Sequence, residues 1–358
     1  MKLIIVTQKV DKEDENLGAF YYWFVMLSSR VEKLVIIADS VGETEFPANV
    51  EICELGKKKG YGSLHRLFRL WEFFWKHYGN SDAIFFHQIP EYAIAAAPFL
   101  FLRKKTTALW YAHKSVTNRL KLAEKLVDYV FTSSEAGFRL PSKKVFYVGQ
   151  AINTALFKPG AVNMFGERML RLVTIGRIAP VKNYEIIINA CAILKDTWKE
   201  PWRLSVVGGP IFPRDHEYFS ALKKLVHDKG LTHVVEFLGS KPYSAVPEIL
   251  REHDFFLNVS ATGSLDKAVF EAMACGLTVL TANEAYRSIL PPRYFLEHTS
   301  PDFLAGRIKA LAGDARPNAE LRSIVLERHS LEKTVDRIFQ ILTEEKYALR
   351  KRMPSGST

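Results

Sequence analysis

Apolar runs and longer amphipathic stretches alternate along the chain. KLIIVTQ, KLVIIAD, AIFFHQ, TTALWYAH and YVFTSS occupy the first part. RLVTIGR, RLSVVGG, VVEFLGS, FFLNVSA and LTVLTAN follow in the second. The runs are continuous rather than strictly alternating, as expected of strands covered on both faces and hence of parallel sheets between helix layers. Strand–helix repetition of this kind predicts a doubly wound α/β architecture. There are too many strands for one comfortable sheet.

The break lies after KVFYVGQAIN. TALFKPGAVNMFGERMLR holds Pro159-Gly160 and no clear period, and the strand pattern restarts at Arg171. Two Rossmann-like domains are expected, over 1–157 and 158–329. YFLEHTS closes the run of strands. A helix over 330–350 is expected to pack back on the first domain, leaving a tail at 351–358.

One helix pattern has two readings. GSLHRLFRLWEFFWKHYG carries Leu64, Leu67, Phe68, Trp71, Phe74, Trp75 and Tyr78 on one broad face, with Arg66, Arg69 and Lys76 elsewhere. The simpler reading is that this face covers the first sheet. The other is an aromatic, basic helix lying on a membrane surface.

Composition narrows the class. Of 358 residues, 48% are hydrophobic and 25% charged, an ordinary globular balance. No apolar run reaches the about 18 residues of a membrane span, and the N-terminal run is too short for a signal sequence. A cytoplasmic protein is expected, with peripheral attachment to the inner face of the membrane left open. Cys53, Cys191 and Cys275 are far apart and form no C-x-x-C pair, so neither a disulfide framework nor a zinc site is supported. The net charge of +10 favours anionic partners such as nucleotides, nucleic acid or acidic lipid headgroups. No basic-aromatic module with recognisable spacing points to nucleic acid.

Candidate chemistry gathers at strand ends, where an open α/β sheet binds ligands. VTIGRIAPVKN places Arg177 and Lys182 on one loop, two cations suited to phosphate. VVGGP (Gly208, Gly209) and FLGSKPYS (Gly239, Lys241) make backbone approachable beside them. FFLNVSATGS then runs into a helix start in TGSLDKAVFEAMACG. Small residues there leave room for an anion at the backbone N–H groups.

Taken in order, AINTALFKP, GRIAPVKN, VVGGP, FLGS, HDFFLNVS and EAMACG resemble the motifs of retaining glycosyltransferase family 4, over most of residues 149–282. The first half resembles that family more loosely. The resemblance implies the GT-B fold, two Rossmann-like domains with mainly parallel sheets facing each other across a cleft. The first domain would bind the acceptor and the second the nucleotide sugar. Arg177 and Lys182 would hold the donor diphosphate, with backbone N–H groups of Ser264 and Leu265. Glu271 would bind the ribose, where a carboxylate can accept two hydrogen bonds from a vicinal diol.

In the first half the resemblance places His113, in WYAHK, beside the reacting sugar, with His87 a weaker candidate. It places Gly18, in the reduced loop Asn16-Leu17-Gly18, at the donor phosphate or the acceptor. Gly263 stands where the family usually has a second Glu that meets the donated sugar. The nearest carboxylate is Asp266, which would either orient the sugar in catalysis or complement the helix dipole.

The expected function is retaining transfer of a sugar from a nucleoside diphosphate sugar to a glycan, lipid-linked or other acceptor. No cofactor or obligatory metal is implied, and no D-x-D carboxylate pair is present to hold one. An acidic membrane is a further expected contact, and nucleic acid is not. The alternatives are a nucleotide-sugar epimerase of the same fold and a catalytically inactive nucleotide-sugar-binding partner of a glycosyltransferase.

Overall fold

The computed structural model describes residues 1–101, 105–160, 169–314 and 316–352. The chain forms two units, Met1–Ala151 with Ser330–Thr358, and Ile152–His329. The division falls between Ala151 and Ile152, a few residues before the 157/158 boundary read from the sequence.

The first unit contains strands β1 (Lys2–Val10), β2 (Lys33–Val41), β3 (Val50–Glu54), β4 (Ala83–His87), β5 (Thr106–Trp110), β6 (Tyr129–Thr132) and β7 (Val145–Tyr147). Its helices are α1 (Gly18–Ser28), α2 (Ser63–Tyr78), α3 (Pro90–Ala95), α4 (Ala97–Leu100) and α5 (Asn118–Leu126). The strands pair in parallel in the order β3-β2-β1-β4-β5-β6-β7. Along β1, Leu3 and Ile5 enter one core cluster while Ile4 and Val6 enter another on the opposite face. Burial on both faces is the physical reason for the continuous apolar runs.

The second unit contains β8 (Leu170–Ile175), β9 (Trp202–Val207), β10 (Val235–Gly239), β11 (Phe255–Asn258) and β12 (Thr278–Thr281), parallel in the order β10-β9-β8-β11-β12. Between and after them run α6 (Tyr184–Thr197), α7 (Pro213–Asp228), α8 (Val246–Arg251), α9 (Lys267–Ala274), α10 (Pro301–Leu311) and α11 (Ala319–Arg328). YFLEHTS adds no strand: Phe295 makes only an isolated bridge to Thr281. The last helix, α12 (Leu331–Arg352), belongs to the first unit. Leu331, Val335, Ile338 and Leu342 recur at helical spacing and share a core cluster with Phe20, Trp23, Phe24 and Leu27 of α1.

Helix α2 divides its apolar residues between two faces. Leu70, Phe74 and Tyr78 are buried and cover the sheet, whereas Leu64, Phe68 and Trp75 are exposed. Covering the sheet therefore accounts for only part of the pattern. Among the described residues no helix is long and apolar enough to cross a membrane.

Strand order reverses between β8 and β11, since β9 and β10 lie on one side and β12 on the other. The loops leaving the carboxyl ends of β8 and β11 flank this switch point, where open α/β sheets form their ligand crevice.

Candidate functional site

Two bonds tie the switch-point loops together. Ala261 N donates to Val181 O (3.0 Å), and Asn183 Nδ2 donates to Val259 O (3.0 Å). Asn183 holds a left-handed φ of 52° as it caps α6, a conformation that Asn tolerates. The Tyr184 hydroxyl, buried beneath, donates to Gly176 O at 2.9 Å and holds the start of the Arg177 loop.

Lys182 is brought onto Asp266. Its ammonium lies 3.0 Å from each carboxylate oxygen, and Asn258 Nδ2 donates to Asp266 Oδ2 at 3.0 Å. The Tyr286 hydroxyl donates to Asp266 O at 2.5 Å. Asp266 is the residue immediately before α9, at its N-cap position. Its carboxylate makes no capping bond to the helix because it faces Lys182 and Asn258.

Arg177 follows the same loop to the start of α7. Its guanidinium lies over the Phe212 ring, 5.3 Å from the centroid, and Nε is 3.8 Å from Asp215 Oδ2. Asp215 is fully buried and accepts the N–H groups of Ile211 (3.4 Å) and Phe212 (3.2 Å). One carboxylate thus shapes the loop before α7 and holds Arg177 near it.

Glu271 is buried in α9, where Oε1 accepts the Tyr243 hydroxyl at 2.8 Å. Burial pushes its carboxyl above the ordinary range, while Lys267 and the Tyr243 bond pull it back. Burial also drives the Lys267 ammonium down to about 8, against the attraction of Glu271 one turn on. Burial thus acts on both groups against their charged forms, and their mutual attraction opposes it, in a poorly solvated place where contacts to a ligand are strengthened.

The glycines divide by role. A Cβ on Gly208 would lie 2.0 Å from Gly176 O, so this glycine permits the β8 and β9 loops to approach each other. One on Gly209 would meet Ser240 Oγ at 2.8 Å, whereas at Gly239 there is open space and Lys241 is half-buried nearby in the chain. Gly263 is buried with a φ of 65°, a left-handed conformation that a Glu rarely adopts. The loop's own backbone path thus suits glycine. Ser264 is half-buried and its carbonyl accepts Asn283 Nδ2 at 2.8 Å, while Leu265 is buried.

The remaining candidates lie in the first unit. His113 is exposed beyond β5, and its Nδ1 accepts the Ser115 N–H at 3.1 Å. Gly18 opens α1, and its N–H donates to Asp14 O at 2.9 Å. His87 ends β4 as a core residue, buried among the Phe20, Trp23 and Phe24 rings with Nδ1 3.0 Å from Thr7 Oγ1.

Glu51, Cys53 and His77 bring ligand atoms within 4.8 Å of one another at the edge strand β3. Glu51 there is already paired with Lys33 (2.7 Å) and Lys76 (2.9 Å), which hold its carboxyl down at about 2. That positive surrounding disfavours a cation.

Lys267, Tyr243, Asn258 and Asp215 were not among the sequence candidates. Lys267 precedes Glu271 by one helical turn, a spacing visible in the sequence. The other three meet their partners only through the fold.

Helix α9 rests on an aromatic floor. Phe270 packs on Tyr286 (5.0 Å) and stacks on His329 (4.1 Å). Burial, aided by Arg328, holds the His329 imidazole down at about 4, against an ordinary 6.5. Between those values the unfolded chain binds a proton that the folded one refuses, so stability falls as pH drops from 6.5 towards 4. The full effect is on the order of 3 kcal/mol. Thermal midpoints measured across this window should fall in the wild type and fall less steeply in His329→Phe. Equal slopes would assign the acid sensitivity to other groups.

Residues 162–322 match the family model described as glycosyl transferases group 1. The chain also matches the structure of Anabaena Alr3699/HepE in complex with UDP and glucose, over 96% of this chain and 100% of that one, with a TM-score of 0.75 at 15% identity. The fold is therefore GT-B, and together these findings support a GT-B glycosyltransferase.

Among curated proteins, a component of the phosphatidylinositol N-acetylglucosaminyltransferase of Arabidopsis thaliana is 31% identical over 153 residues, 42% of this chain and 32% of that protein. The D-inositol 3-phosphate glycosyltransferase of Gordonia bronchialis is 32% identical over 112 residues, 30% of this chain and 24% of that protein. The chain matches about a third or less of the length of these curated relatives.

Proposed function

We propose that this chain transfers a sugar from a nucleoside diphosphate sugar to a glycan or lipid-linked acceptor, with retention of anomeric configuration. The observation that carries the reading is the gathering of Lys182, Arg177 and the start of α9 around the β8/β11 switch point, with Glu271 buried in the same helix. Lys182 and Arg177 stabilise charge on the departing diphosphate, aided by the positive end of α9. Glu271 accepts the ribose hydroxyls, and Ser264 and Leu265 offer backbone donors to the phosphates. His113 hydrogen-bonds a hydroxyl of the reacting sugar, and Gly18 leaves room for the donor or acceptor. The protein works in the cytoplasm, and a peripheral contact with an acidic membrane belongs to the same reading. The UDP complex of the Anabaena neighbour makes a uridine nucleotide the first donor to test.

The test is a thermal-shift screen of UDP-, GDP- and ADP-sugars followed by a transfer assay with the binder. Binding raises the midpoint by mass action. Transfer should persist in EDTA, because the proposed diphosphate site offers two cations and backbone donors. Activity lost in EDTA and restored by manganese would show that a metal neutralises the diphosphate instead. No shift with any sugar nucleotide would overturn the donor assignment.

Gly263 favours a second reading, a nucleotide-sugar-binding partner without activity, because its left-handed backbone replaces the acid expected at the donated sugar. Sugar-nucleotide binding with neither transfer nor hydrolysis would select that reading.

A further inference from the structure

The apolar stripe on α2 is unusual for a helix that also covers a core. Leu64, Phe68 and Trp75 are 72%, 63% and 84% exposed, and Trp71 lies half-buried between them. The spacing of these four residues puts them on a single face, turned about a quarter circle or more from Leu70 and Phe74. The stripe is anchored to its unit: Trp71 Nε1 donates to Ala95 O at 2.8 Å, and the Phe74 and Phe99 rings stack at 5.2 Å. Phe101, just beyond α4, is a further exposed ring at 71%.

The segment that carries this stripe is predominantly basic. Residues 55–79 contain Lys57, Lys58, Lys59, Arg66, Arg69 and Lys76 against a single carboxylate, Glu72. Lys57 and Lys58 are exposed in the turn before α2. Arg66 is committed to Asp39 at 2.8 Å, whereas the Lys59–Glu54 and Lys76–Glu51 pairs have exposed lysines and are readily screened. Packed against a second copy of itself, the stripe would set these cations against each other. An anionic partner is favoured instead.

We propose that the Leu64–Phe68–Trp71–Trp75 stripe seats on an anionic phospholipid surface, its side chains entering the headgroup boundary while the neighbouring lysines meet lipid phosphates. A row of large exposed apolar residues suits a fluid, non-directional partner, and exposed tryptophan suits the interface. The proposal rests on the membrane contact of the reading above and gives it a place on α2, and vesicle binding tests it separately from sugar transfer.

The experiment is co-sedimentation of the full chain with phosphatidylcholine vesicles, with and without about 30 mol% phosphatidylglycerol. Binding is expected only to the anionic vesicles and should weaken as salt is raised. The Phe68→Ser/Trp75→Ser variant should bind more weakly by about tenfold or more, with unchanged far-UV circular dichroism. Brominated lipid should quench wild-type tryptophan fluorescence, and Trp75→Phe should lose most of that quenching while still binding. No binding to anionic vesicles, equal binding by the double variant, unchanged quenching in Trp75→Phe, or a dimer dissolved by the double variant would each overturn the proposal.

Discussion

Glu271→Gln should lower kcat/KM for sugar transfer by about two orders of magnitude, the scale of one or two charge-assisted hydrogen bonds at about 1.5–3 kcal/mol each. The substitution keeps the volume of a buried side chain and leaves an oxygen for the Tyr243 hydroxyl. It removes the second acceptor that a ribose diol needs and replaces it with a donor. It also deprives Lys267 of the charge that partly opposes its desolvation, so the ammonium should titrate below its present value of about 8.

The decisive measurement compares a nucleotide with its 2′-deoxy form by calorimetry. Wild type should favour the ribose form clearly, and Glu271→Gln should nearly abolish the preference. If both proteins discriminate equally, Glu271 does not hold the ribose.

Lys182→Met should weaken nucleoside diphosphate binding by about 10- to 100-fold, because it removes a cation whose phosphate contact is charge-assisted. The structure adds a partner effect. Lys182 divides its ammonium between both oxygens of Asp266, so a diphosphate must share that cation with a fixed carboxylate. Asp266→Asn should therefore tighten binding of the bare nucleotide by about three- to tenfold, the scale of a partly exposed ion pair. The tightening should vanish in a Lys182→Met background, as a coupled pair requires. If Asp266 instead orients the donated sugar, Asp266→Asn leaves nucleotide affinity unchanged and lowers kcat/KM by about tenfold or more. Calorimetry and kinetics on the same four proteins separate the outcomes.

The first of these sites was more legible than the second. Lys267 and Glu271 are one helical turn apart, so their meeting follows from helix geometry. Tyr243 lies 28 residues upstream of Glu271, in a segment whose local pattern says nothing about α9. Lys182 and Asp266 are 84 positions apart and meet because β11 lies beside β8 rather than at an edge. Sequence periodicity predicts strands, but neighbour order depends on how crossover helices pack the sheet.

The sequence by itself determined the elements that local chemistry specifies. Continuous β-branched and aromatic runs made parallel, doubly covered strands, and glycine or small residues at their ends marked where backbone comes close. Only the tertiary structure decided which strand ends became neighbours, and hence that Lys182 faces Asp266 while Asp215 holds Arg177. It also decided the fate of α2, whose apolar residues cover more of its circumference than the sheet can bury. Helical period shows that such faces exist, but only packing chooses which one is withdrawn from water, leaving Leu64, Phe68 and Trp75 outside.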